Sequence, residues 1–350
     1  MQTVSVHASK AYDIRIENGI LARAGEEIAK LAPGARVMVV TDDTVDALYG
    51  AALTDALTAA GISHSKFVIP HGEASKNVHN WLSLLHALSA EAFTRTDVLC
   101  ALGGGVVGDL TGFAAACYLR GIKYVGIPTT LLAMVDSSVG GKTAVDLTMG
   151  KNLCGAFHHP SLVLCDPDTL KTLPGEIFSD GMAEVIKYGV IGDAGLFDIL
   201  QTPNGLPMEE VIRRCVSMKA RIVEEDENDR GVRKLLNFGH TAGHAIEARA
   251  QFTLLHGHGV AAGMVIAARF AHSRGLCGAE VIDEITALVR KYDLPDASPY
   301  PVAELLETAL RDKKREGGHI DLVLPTKIGC CVLHRLPVSE LSAFLSGGAV

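Results

Sequence analysis

Four histidines lie within 19 positions in the second half of the chain, and their spacing suggests a metal site. His240 and His244 are four residues apart, so both imidazoles project from one side of a helix. His256 and His258 follow, with several glycines nearby. Imidazoles in such a set, joined by a carboxylate, suit zinc or a similar divalent ion and leave positions open for substrate oxygens. The residues alone do not decide which histidines bind the ion, and a purely structural role is the alternative.

Glu184 and Lys187 could bring an acid and an amine into the same site. They are three residues apart in a predicted helix and therefore share one face. Considered alone, the pair would be a surface ion pair. However, the flanking residues Met182-Ala183 and Val185-Ile186 are apolar, which favours a pair that faces a cleft.

A glycine-rich run, from Gly103 to Asp109, is the candidate nucleotide site. It follows a predicted strand and opens a predicted helix, where glycines let phosphate approach the backbone and the helix N-terminus donates N–H groups. The run matches G-x-G-x-x-G, but about 20 residues later, where that motif needs an acid, the chain has Pro128. Asp42, upstream after a predicted strand, is the acidic candidate instead. Two interpretations stay open: a tight strand-to-helix turn, or a phosphate-binding turn in a non-standard nucleotide domain.

A second polar group, between Asp136 and Asn152, suits an anion. Asp136 and Lys142 lie around two glycines, and Lys151 precedes Asn152. The Gly-Gly-Lys-Thr ending resembles a nucleoside-triphosphate loop, but that loop requires glycine at position 136, where this chain has aspartate. Further cations occur at Lys219, Arg233 and the run Asp312–Arg315. The last of these is either part of a site or a solvated face.

These residues must be positioned by an α/β fold. The first half alternates short apolar strands with helical segments, which predicts a doubly wound, Rossmann-like parallel sheet that binds ligands beyond the carboxyl ends of its strands. The predicted strands are Arg36–Thr41, His64–Pro70, Asp97–Leu102 and Lys123–Pro128, with a helix at Lys76–Ala92. From about residue 170 apolar residues recur at helical spacing, apart from a β segment near Ile320–Leu324. We therefore predict an α/β domain at 1–169 and a mainly α-helical domain at 170–350.

Composition and charge limit the class of protein. A chain of 350 residues with 48% hydrophobic residues can form two folded domains. Its formal net charge of −8 argues against nucleic-acid binding, although a local cation cluster still permits a small anionic substrate. The N-terminus lacks a signal-peptide pattern, and no segment has the roughly 18 apolar residues of a membrane span. Eight scattered cysteines indicate reduced thiols, so we expect a cytoplasmic protein.

Six segments resemble the 3-dehydroquinate synthases, enzymes of the shikimate pathway to aromatic amino acids. They are ALGGGVVGDLTGF, YLRGI, IPTTLLAMVDSSVGGKTAVD, GKNLCGAFHHP, GMAEVIKYG and LLNFGHTAGHAIEA, and the similarity extends over roughly residues 35–335. The resemblance implies an N-terminal NAD-binding domain, a helical C-terminal domain and an active site in the cleft between them. It also implies zinc, or cobalt in some members, and a homodimer.

The implied reaction converts 3-deoxy-D-arabino-heptulosonate 7-phosphate into 3-dehydroquinate and phosphate. NAD removes hydride from C5, the resulting ketone acidifies the adjacent C–H, and phosphate is eliminated. The ketone is then reduced again, and the ring opens and recloses by an intramolecular aldol step. Because NAD is regenerated in each turnover, the enzyme is a phosphate-eliminating lyase without net redox change.

The resemblance also assigns roles to positions of this sequence. The metal ligands correspond to Glu184, His240 and His256. The phosphate contacts correspond to Lys142, Asn237, His244 and Lys313, with Arg120 reaching the phosphate of the neighbouring subunit. The contacts of the substrate carboxylate and hydroxyls correspond to Asn152, Lys187, Lys219 and Arg233, and Asp136 lies between metal and nicotinamide. We hypothesise that Lys187 and His244 assist proton transfer.

The implied NAD contacts form a larger set. They correspond to Asp42 at the ribose and to Glu73, Lys76, Gly104, Gly105, Val106, Asp109, Thr129, Thr130, Leu132, Lys142, Lys151 and Thr172. The resemblance thus implies that the glycine turn holds the pyrophosphate. One departure concerns His258, because the family commonly has His-Gly-Glu where this chain has His256-Gly257-His258. That difference puts the metal preference in question.

Three other functions remain to be distinguished. A metal-dependent polyol dehydrogenase, such as a glycerol dehydrogenase, would lack the dense set of Lys, Arg and Asn because its substrate is uncharged. Another sugar-phosphate cyclase, making an inosose or a valiolone, should differ at Lys219, Arg233 and Asn237. An inactive NAD- or metal-binding regulatory protein should have lost a metal ligand or Lys187.

Overall fold

A computed structural model describes residues 1–203, 205–251, 253–313 and 318–348, except for the side chains of 311–313. The chain divides into two compact units. The first comprises Met1–Leu173 and Met208–Asn228, and the second comprises Pro174–Pro207 and Asp229–Val350. Within the described ranges, no helix is both long and apolar enough to cross a membrane.

Strands occur mainly in the first unit. They are β1 (Gln2–His7), β2 (Ala11–Ile16), β3 (Val37–Asp42), β4 (His64–Ile69), β5 (Val98–Gly103), β6 (Lys123–Pro128), β7 (Lys142–Leu147), β8 (Gly150–Phe157), β9 (Leu162–Cys165), β10 (His319–Lys327) and β11 (Cys330–Pro337). The main sheet has the order β1-β2-β9-β6-β5-β3-β4. Only the β1–β2 pair in it is antiparallel. Two separate hairpins, β7–β8 and β10–β11, complete the set in the described residues.

Helices connect the strands of the first unit and dominate the second. They are α1 (Ala24–Leu31), α2 (Asp43–Val45), α3 (Ala51–Ala59), α4 (Val78–Ala90), α5 (Gly105–Cys117), α6 (Gly175–Gly192), α7 (Ala194–Gln201), α8 (Met208–Glu225), α9 (His240–Arg249), α10 (His256–Ser273), α11 (Ala279–Lys291), α12 (Val302–Lys313) and α13 (Leu341–Leu345). Short 3-10 helices lie at Ile20–Arg23, Glu73–Ser75, Tyr118–Arg120, Pro167–Thr172, Val232–Asn237 and Val338–Glu340, and π-helical turns at Asp46–Gly50 and Ala133–Ser137.

The core of the first unit has a layer on each face of the sheet. Successive residues of a strand point to opposite faces, so Val37 and Val39 enter one apolar cluster while Met38 and Val40 enter the other. Helices α1 and α3 cover the first face, and α4 and α5 cover the second. The predicted doubly wound parallel sheet is therefore confirmed, and its four predicted strands are β3, β4, β5 and β6. The strands β1, β2, β7, β8 and β9 were not predicted.

Helix α8 belongs to the first unit although the chain has already entered the second. It packs against β1 and the turn Ala133–Ser137. Beside its C-terminal end, the backbone N–H of His7 donates to Glu224 at 2.6 Å and that of Ser9 donates to Glu227 at 3.0 Å. The domain prediction drew one boundary near residue 169 and did not anticipate this return, because helical periodicity does not show which core a helix covers.

In the second unit, glycines bring three helices close together. A β-carbon at Gly263 of α10 would lie 1.9 Å from the carbonyl oxygen of Gly239, just before α9. A β-carbon at Gly257 would lie 1.9 Å from the carbonyl oxygen of Asp180 in α6. Only glycine permits such backbone contacts. The first turn of α10 therefore lies directly against α6 and α9.

Candidate active site

The first turns of α9 and α10 place two imidazoles beside a carboxylate of α6. Nε2 of His240 lies 3.5 Å from Oε1 of Glu184, and Nε2 of His256 lies 3.4 Å from the same oxygen. One ligand atom from each residue falls within 4.8 Å of the others. One carboxylate and two imidazoles at this separation are a donor set that fits a divalent transition metal.

The Nδ1 atoms of these two imidazoles have hydrogen-bond partners, as is common for histidines that bind a metal through Nε2. Nδ1 of His240 lies 3.1 Å from the carbonyl oxygen of Phe238, and Nδ1 of His256 lies 3.1 Å from Oε2 of Glu247. Such partners orient the ring and leave Nε2 for the metal. Glu247, buried in α9, was not singled out in the sequence. The available signal was its spacing of three residues from His244, which predicts a shared helix face.

Glu184 and Lys187 form a buried ion pair. Each side chain is 1% exposed, and Nζ of Lys187 lies 2.5 Å from Oε2 of Glu184. The ammonium group also lies 5.0 Å from the ring centre of Tyr188. Taking two charges out of water is costly unless they are paired. The pair is thus buried and is not a surface ion pair, while the prediction that it faces a cleft stays a prediction.

The imidazoles of His240 and His256 differ in charge. Burial, reinforced by the charge of Lys187, lowers the pKa of His240 to about 3, so this imidazole is neutral. Burial also acts to lower the pKa of His256, but hydrogen bonds to Glu184 and Glu247 outweigh it and raise the pKa to about 10. Without a metal ion, His256 is therefore an imidazolium between two carboxylates.

The other predicted residues of the second unit occupy different environments. His244 is exposed on α9, and its ring centre lies 5.3 Å from that of His240 and 5.8 Å from that of His256. Arg233 is buried and Asn237 is exposed, both in the 3-10 helix Val232–Asn237. Lys313 ends α12, but its side chain lies outside the described residues.

His258 contacts an aspartate of α6. Its backbone N–H donates to Oδ1 of Asp180 at 3.2 Å, and its Nδ1 lies 3.3 Å from the same oxygen. Asp180 is buried and lies one helical turn before Glu184. The carboxylate therefore binds an N–H group at the start of α10 that has no partner within the helix.

In the first unit, the candidate NAD residues gather at the carboxyl edge of the sheet. Thr41 of β3 pairs with Leu102 of β5, and Gly103 of β5 pairs with Pro128 of β6. Asp42, Gly104 and Thr129, which follow these residues, therefore lie along one edge. Thr130 lies close to the start of α5. A β-carbon at Gly104, the residue before this helix, would lie 3.1 Å from Cγ2 of Thr130.

A small recess lies beside the N-terminus of α5. Gly104, Asp109, Ser138 and Lys142 line it. The hydroxyl of Ser138 is buried without a hydrogen-bond partner among the described residues. Gly104 precedes α5 and has no side chain to cap the helix. The bare helix N-terminus and the buried hydroxyl fit an anionic nucleotide.

Lys76 is the centre of a charged cluster in the same unit. Its Nζ lies 2.8 Å from Oε1 of Glu73, 3.5 Å from Oδ2 of Asp109 and 3.9 Å from Oδ1 of Asp146. Lys151 approaches Glu73 at 3.9 Å. Burial raises the pKa of Asp109 to about 7 despite the nearby Lys76. Asp146 was not singled out in the sequence.

The remaining candidates of the first unit lie in its loops and hairpin. Lys219 of α8 reaches Asp136, with Nζ 3.1 Å from Oδ1 and 2.6 Å from the carbonyl oxygen. The hydroxyl of Thr172 lies 2.5 Å from that of Tyr49. The exposed positions are Arg120, Lys142 and Asn152, the last with a φ of 57°. Val106, Gly105 and Leu132 lie in the turns that open α5 and follow β6.

Family models match most of the chain. The model described as 3-dehydroquinate synthase N-terminal matches residues 66–180, and the one described as 3-dehydroquinate synthase C-terminal matches residues 181–315. The chain belongs to the 3-dehydroquinate synthase family. A curated 3-dehydroquinate synthase of Pelobacter propionicus is 44% identical over 340 residues, which are 95% of each chain.

Solved structures of related enzymes share the fold of this 3-dehydroquinate synthase family member. A 2-epi-5-epi-valiolone synthase of Streptomyces hygroscopicus with NAD+ and Zn2+ bound has a TM-score of 0.87 and 30% identity, covering 98% of both chains. A 2-deoxy-scyllo-inosose synthase complexed with carbaglucose-6-phosphate, NAD+ and Co2+ has a TM-score of 0.89 and 24% identity, covering 99% of this chain and 100% of that one. The predicted family resemblance is confirmed.

Metal binding by this 3-dehydroquinate synthase family member should release protons. The imidazolium of His256 must lose its proton to coordinate, whereas His240 is already neutral. We expect about one proton per metal ion near neutral pH, and a metal dissociation constant that falls about tenfold per pH unit below pH 10. Because the pKa of His256 is raised in the folded protein, protonation of His256 stabilises the metal-free fold. This stabilisation is fully present below the unfolded pKa of about 6.5 and is lost as the pH rises through about 10.

Calorimetric titration of the metal-free protein with zinc in buffers of different ionisation enthalpy would count these protons. Glu247→Gln should release fewer, because one carboxylate that raises the pKa of His256 is gone. A proton count of zero in the unsubstituted chain would contradict the assignment of charge to His256.

The substitution His258→Glu tests the departure from the usual family segment. It places a second carboxylate against Asp180, and we expect like-charge repulsion to weaken zinc binding by about 3- to 10-fold through displacement of the first turn of α10. The double substitution Asp180→Asn with His258→Glu should restore affinity. Zinc titration of both purified variants checks this, and unchanged affinity in His258→Glu would show that the departure is neutral.

Proposed function

We propose that this chain is a 3-dehydroquinate synthase, which converts 3-deoxy-D-arabino-heptulosonate 7-phosphate into 3-dehydroquinate and phosphate in the shikimate pathway. Family membership over almost the whole chain supports this reaction. The observation that carries the proposal is the buried Glu184–Lys187 pair beside His240 and His256. It combines a metal donor set with a cation able to bind an anionic substrate, a combination that a dehydrogenase of neutral polyols does not need.

The two units have different tasks in this proposal. The first, apart from α8, is the NAD-binding α/β domain, and the second is the helical metal- and substrate-binding domain. When bound, NAD supplies a reversible hydride acceptor and a zinc or cobalt ion supplies a Lewis acid. Glu184, His240 and His256 would hold the ion. The carboxyl edge of the sheet and the bare N-terminus of α5 would hold the nucleotide.

Cations of the second unit bind and orient the substrate. Arg233, which is 2% exposed, and Lys187, which is paired with Glu184, are buried cations of this unit that can bind an anionic group. His244 and Asn237 are exposed and can contact a phosphate group. Lys187 and His244 also assist proton transfer, since each carries a nitrogen able to give and take a proton.

Residues of the first unit are further proposed contacts. The Asp136–Lys219 pair binds hydroxyl or carboxylate groups, and α8 fixes Lys219 to this unit rather than to the metal-bearing one. Lys142 contacts phosphate, and Asn152 contacts hydroxyl groups. Because phosphate departs by elimination, these residues act chiefly by orientation and charge neutralisation.

The assembly that we propose is a homodimer in the cytoplasm. Apolar side chains of the β7–β8 hairpin are exposed, among them Leu153 at 59% and Phe157 at 48%. Exposed apolar side chains concentrated on one hairpin favour a protein partner, and the family resemblance implies that Arg120 reaches the phosphate of a second copy. All eight cysteines are free thiols, which suits a reducing compartment. A monomer in sedimentation velocity at micromolar concentration would contradict the dimer.

Phosphate release from 3-deoxy-D-arabino-heptulosonate 7-phosphate tests the function. With catalytic NAD and added zinc, we expect phosphate well in excess of the NAD supplied. A chelator should abolish the release, and zinc or cobalt should restore it. No phosphate release, together with net NADH formation from glycerol or another polyol, would contradict the proposal and favour a dehydrogenase.

A further inference from the structure

Asp146 lies at an irregular point of the β7–β8 hairpin. The pairing register shifts between Val145 and Leu147, so Asp146 leaves the regular alternation of the strand. Its backbone N–H donates to the carbonyl oxygen of Lys76 at 2.8 Å, and it forms an isolated bridge with Asn77 at the start of α4. The hairpin is thereby attached to the segment that carries Glu73 and Lys76.

The carboxylate of Asp146 closes the loop between the two strands. Its Oδ1 accepts the backbone N–H of Asn152 at 2.7 Å. Asn152 has a φ of 57°, in the left-handed region that asparagine adopts more readily than most residues other than glycine. A strong acceptor on its N–H helps to hold that conformation, and the conformation determines where the side chain of Asn152 points.

The same carboxylate belongs to the Lys76 cluster. Its Oδ1 lies 3.9 Å from Nζ of Lys76, which is 2.8 Å from Glu73. Lys151, adjacent to Asn152 at the start of β8, also approaches Glu73. Oδ1 of Asp146 therefore lies near Lys76, a proposed NAD contact, and accepts the N–H of Asn152, a proposed substrate contact. All three residues belong to the first unit.

We infer that Asp146 is a positioning residue that links these two parts of the site. Its hydrogen bond to Asn152 orients the substrate contact, and its carboxyl group, which also hydrogen-bonds to Glu73, helps to position Lys76 for NAD. The inference rests on the proposed function, which assigns Asn152 to the substrate and Lys76 and Lys151 to NAD.

Two substitutions separate the hydrogen bond from the charge. Asp146→Asn keeps an oxygen that can accept the N–H of Asn152 but removes the charge, whereas Asp146→Ala removes both. We expect Asp146→Ala to raise KM for the sugar phosphate about tenfold, and Asp146→Asn to keep it within about twofold. Both should weaken NAD binding by about 3- to 10-fold, because both lose the carboxylate beside Lys76.

Thr148→Ala is the matched control, since Thr148 is exposed in the same loop and should leave KM and NAD affinity unchanged. NAD affinity is measured by calorimetry on the metal-loaded protein, and KM by phosphate release. If KM rises in Asp146→Ala but stays near the wild-type value in Asp146→Asn, a general loss of structure does not explain the rise. If Asp146→Ala does not fold, the NAD affinity of Asp146→Asn still tests the charge.

Wild-type KM and NAD affinity in Asp146→Ala would overturn the inference. Equal losses of KM in both variants would overturn the hydrogen-bonding role, and unchanged NAD affinity in Asp146→Asn would overturn the role of the charge. These outcomes presuppose an active unsubstituted chain. Absence of phosphate release from that chain would instead contradict the proposed function, so the two failures are distinguishable.

Discussion

His240→Ala is expected to abolish tight metal binding, whereas His244→Ala should leave it intact. Both side chains lie on one side of α9, but only His240 directs Nε2 toward Glu184, at 3.5 Å. Loss of one of the three proposed protein ligands should weaken zinc binding by at least about 10³-fold and remove turnover. His244→Ala should keep zinc but lower turnover by about 10²- to 10⁴-fold, the usual contribution of a general acid or base.

The measurements are zinc content after dialysis, zinc titration and phosphate release for the two variants in parallel. Each is the other's control, because the same residue type is truncated on the same helix. His244, Glu247 and His256 form an alternative set of ligand atoms. Loss of zinc from His244→Ala with retention in His240→Ala would show that this alternative set is the metal site. Unchanged turnover in His244→Ala would exclude it from the reaction.

Lys187→Met should lower turnover at least about 10²-fold and destabilise the metal-free protein by roughly 3–5 kcal/mol. Methionine fills a similar volume but leaves the 1% exposed carboxylate of Glu184 without the ammonium group that lies 2.5 Å away. A bound metal ion would also neutralise the negative charge of Glu184. The stabilisation of the fold by zinc should therefore be larger in Lys187→Met than in the unsubstituted chain.

Lys291→Met is the matched control for this substitution. Lys291 also lies near a tyrosine ring, at 5.5 Å from the centre of Tyr292, but it is exposed and donates to backbone carbonyls. Thermal unfolding with and without zinc, together with phosphate release, measures both effects. Equal melting temperatures of Lys187→Met and the unsubstituted chain without zinc would contradict the energetic role of the ion pair.

The parallel sheet was predictable because its signal is local. The buried runs in β3, β5 and β6 are short, apolar and bounded by glycine or proline, which is the pattern of strands covered on both faces. The β1–β2 hairpin was missed although apolar and polar residues alternate along both strands, which is the pattern of half-buried strands. Helix α8 was recognised as a helix but assigned to the wrong core, since an apolar stripe is the same whichever surface it covers.

The sequence by itself determined that His240 and His244 share a helix face and that Glu184 and Lys187 share another, because those relations depend only on helical geometry over one turn. It also carried the motifs that place the chain in its family. Only the tertiary structure decided that Glu247 orients His256, that Asp180 binds the start of α10, and that Asp146 joins Lys76 to Asn152. Each of these contacts joins residues in different elements or across a loop, and it exists only after long-range packing has set the distance between them.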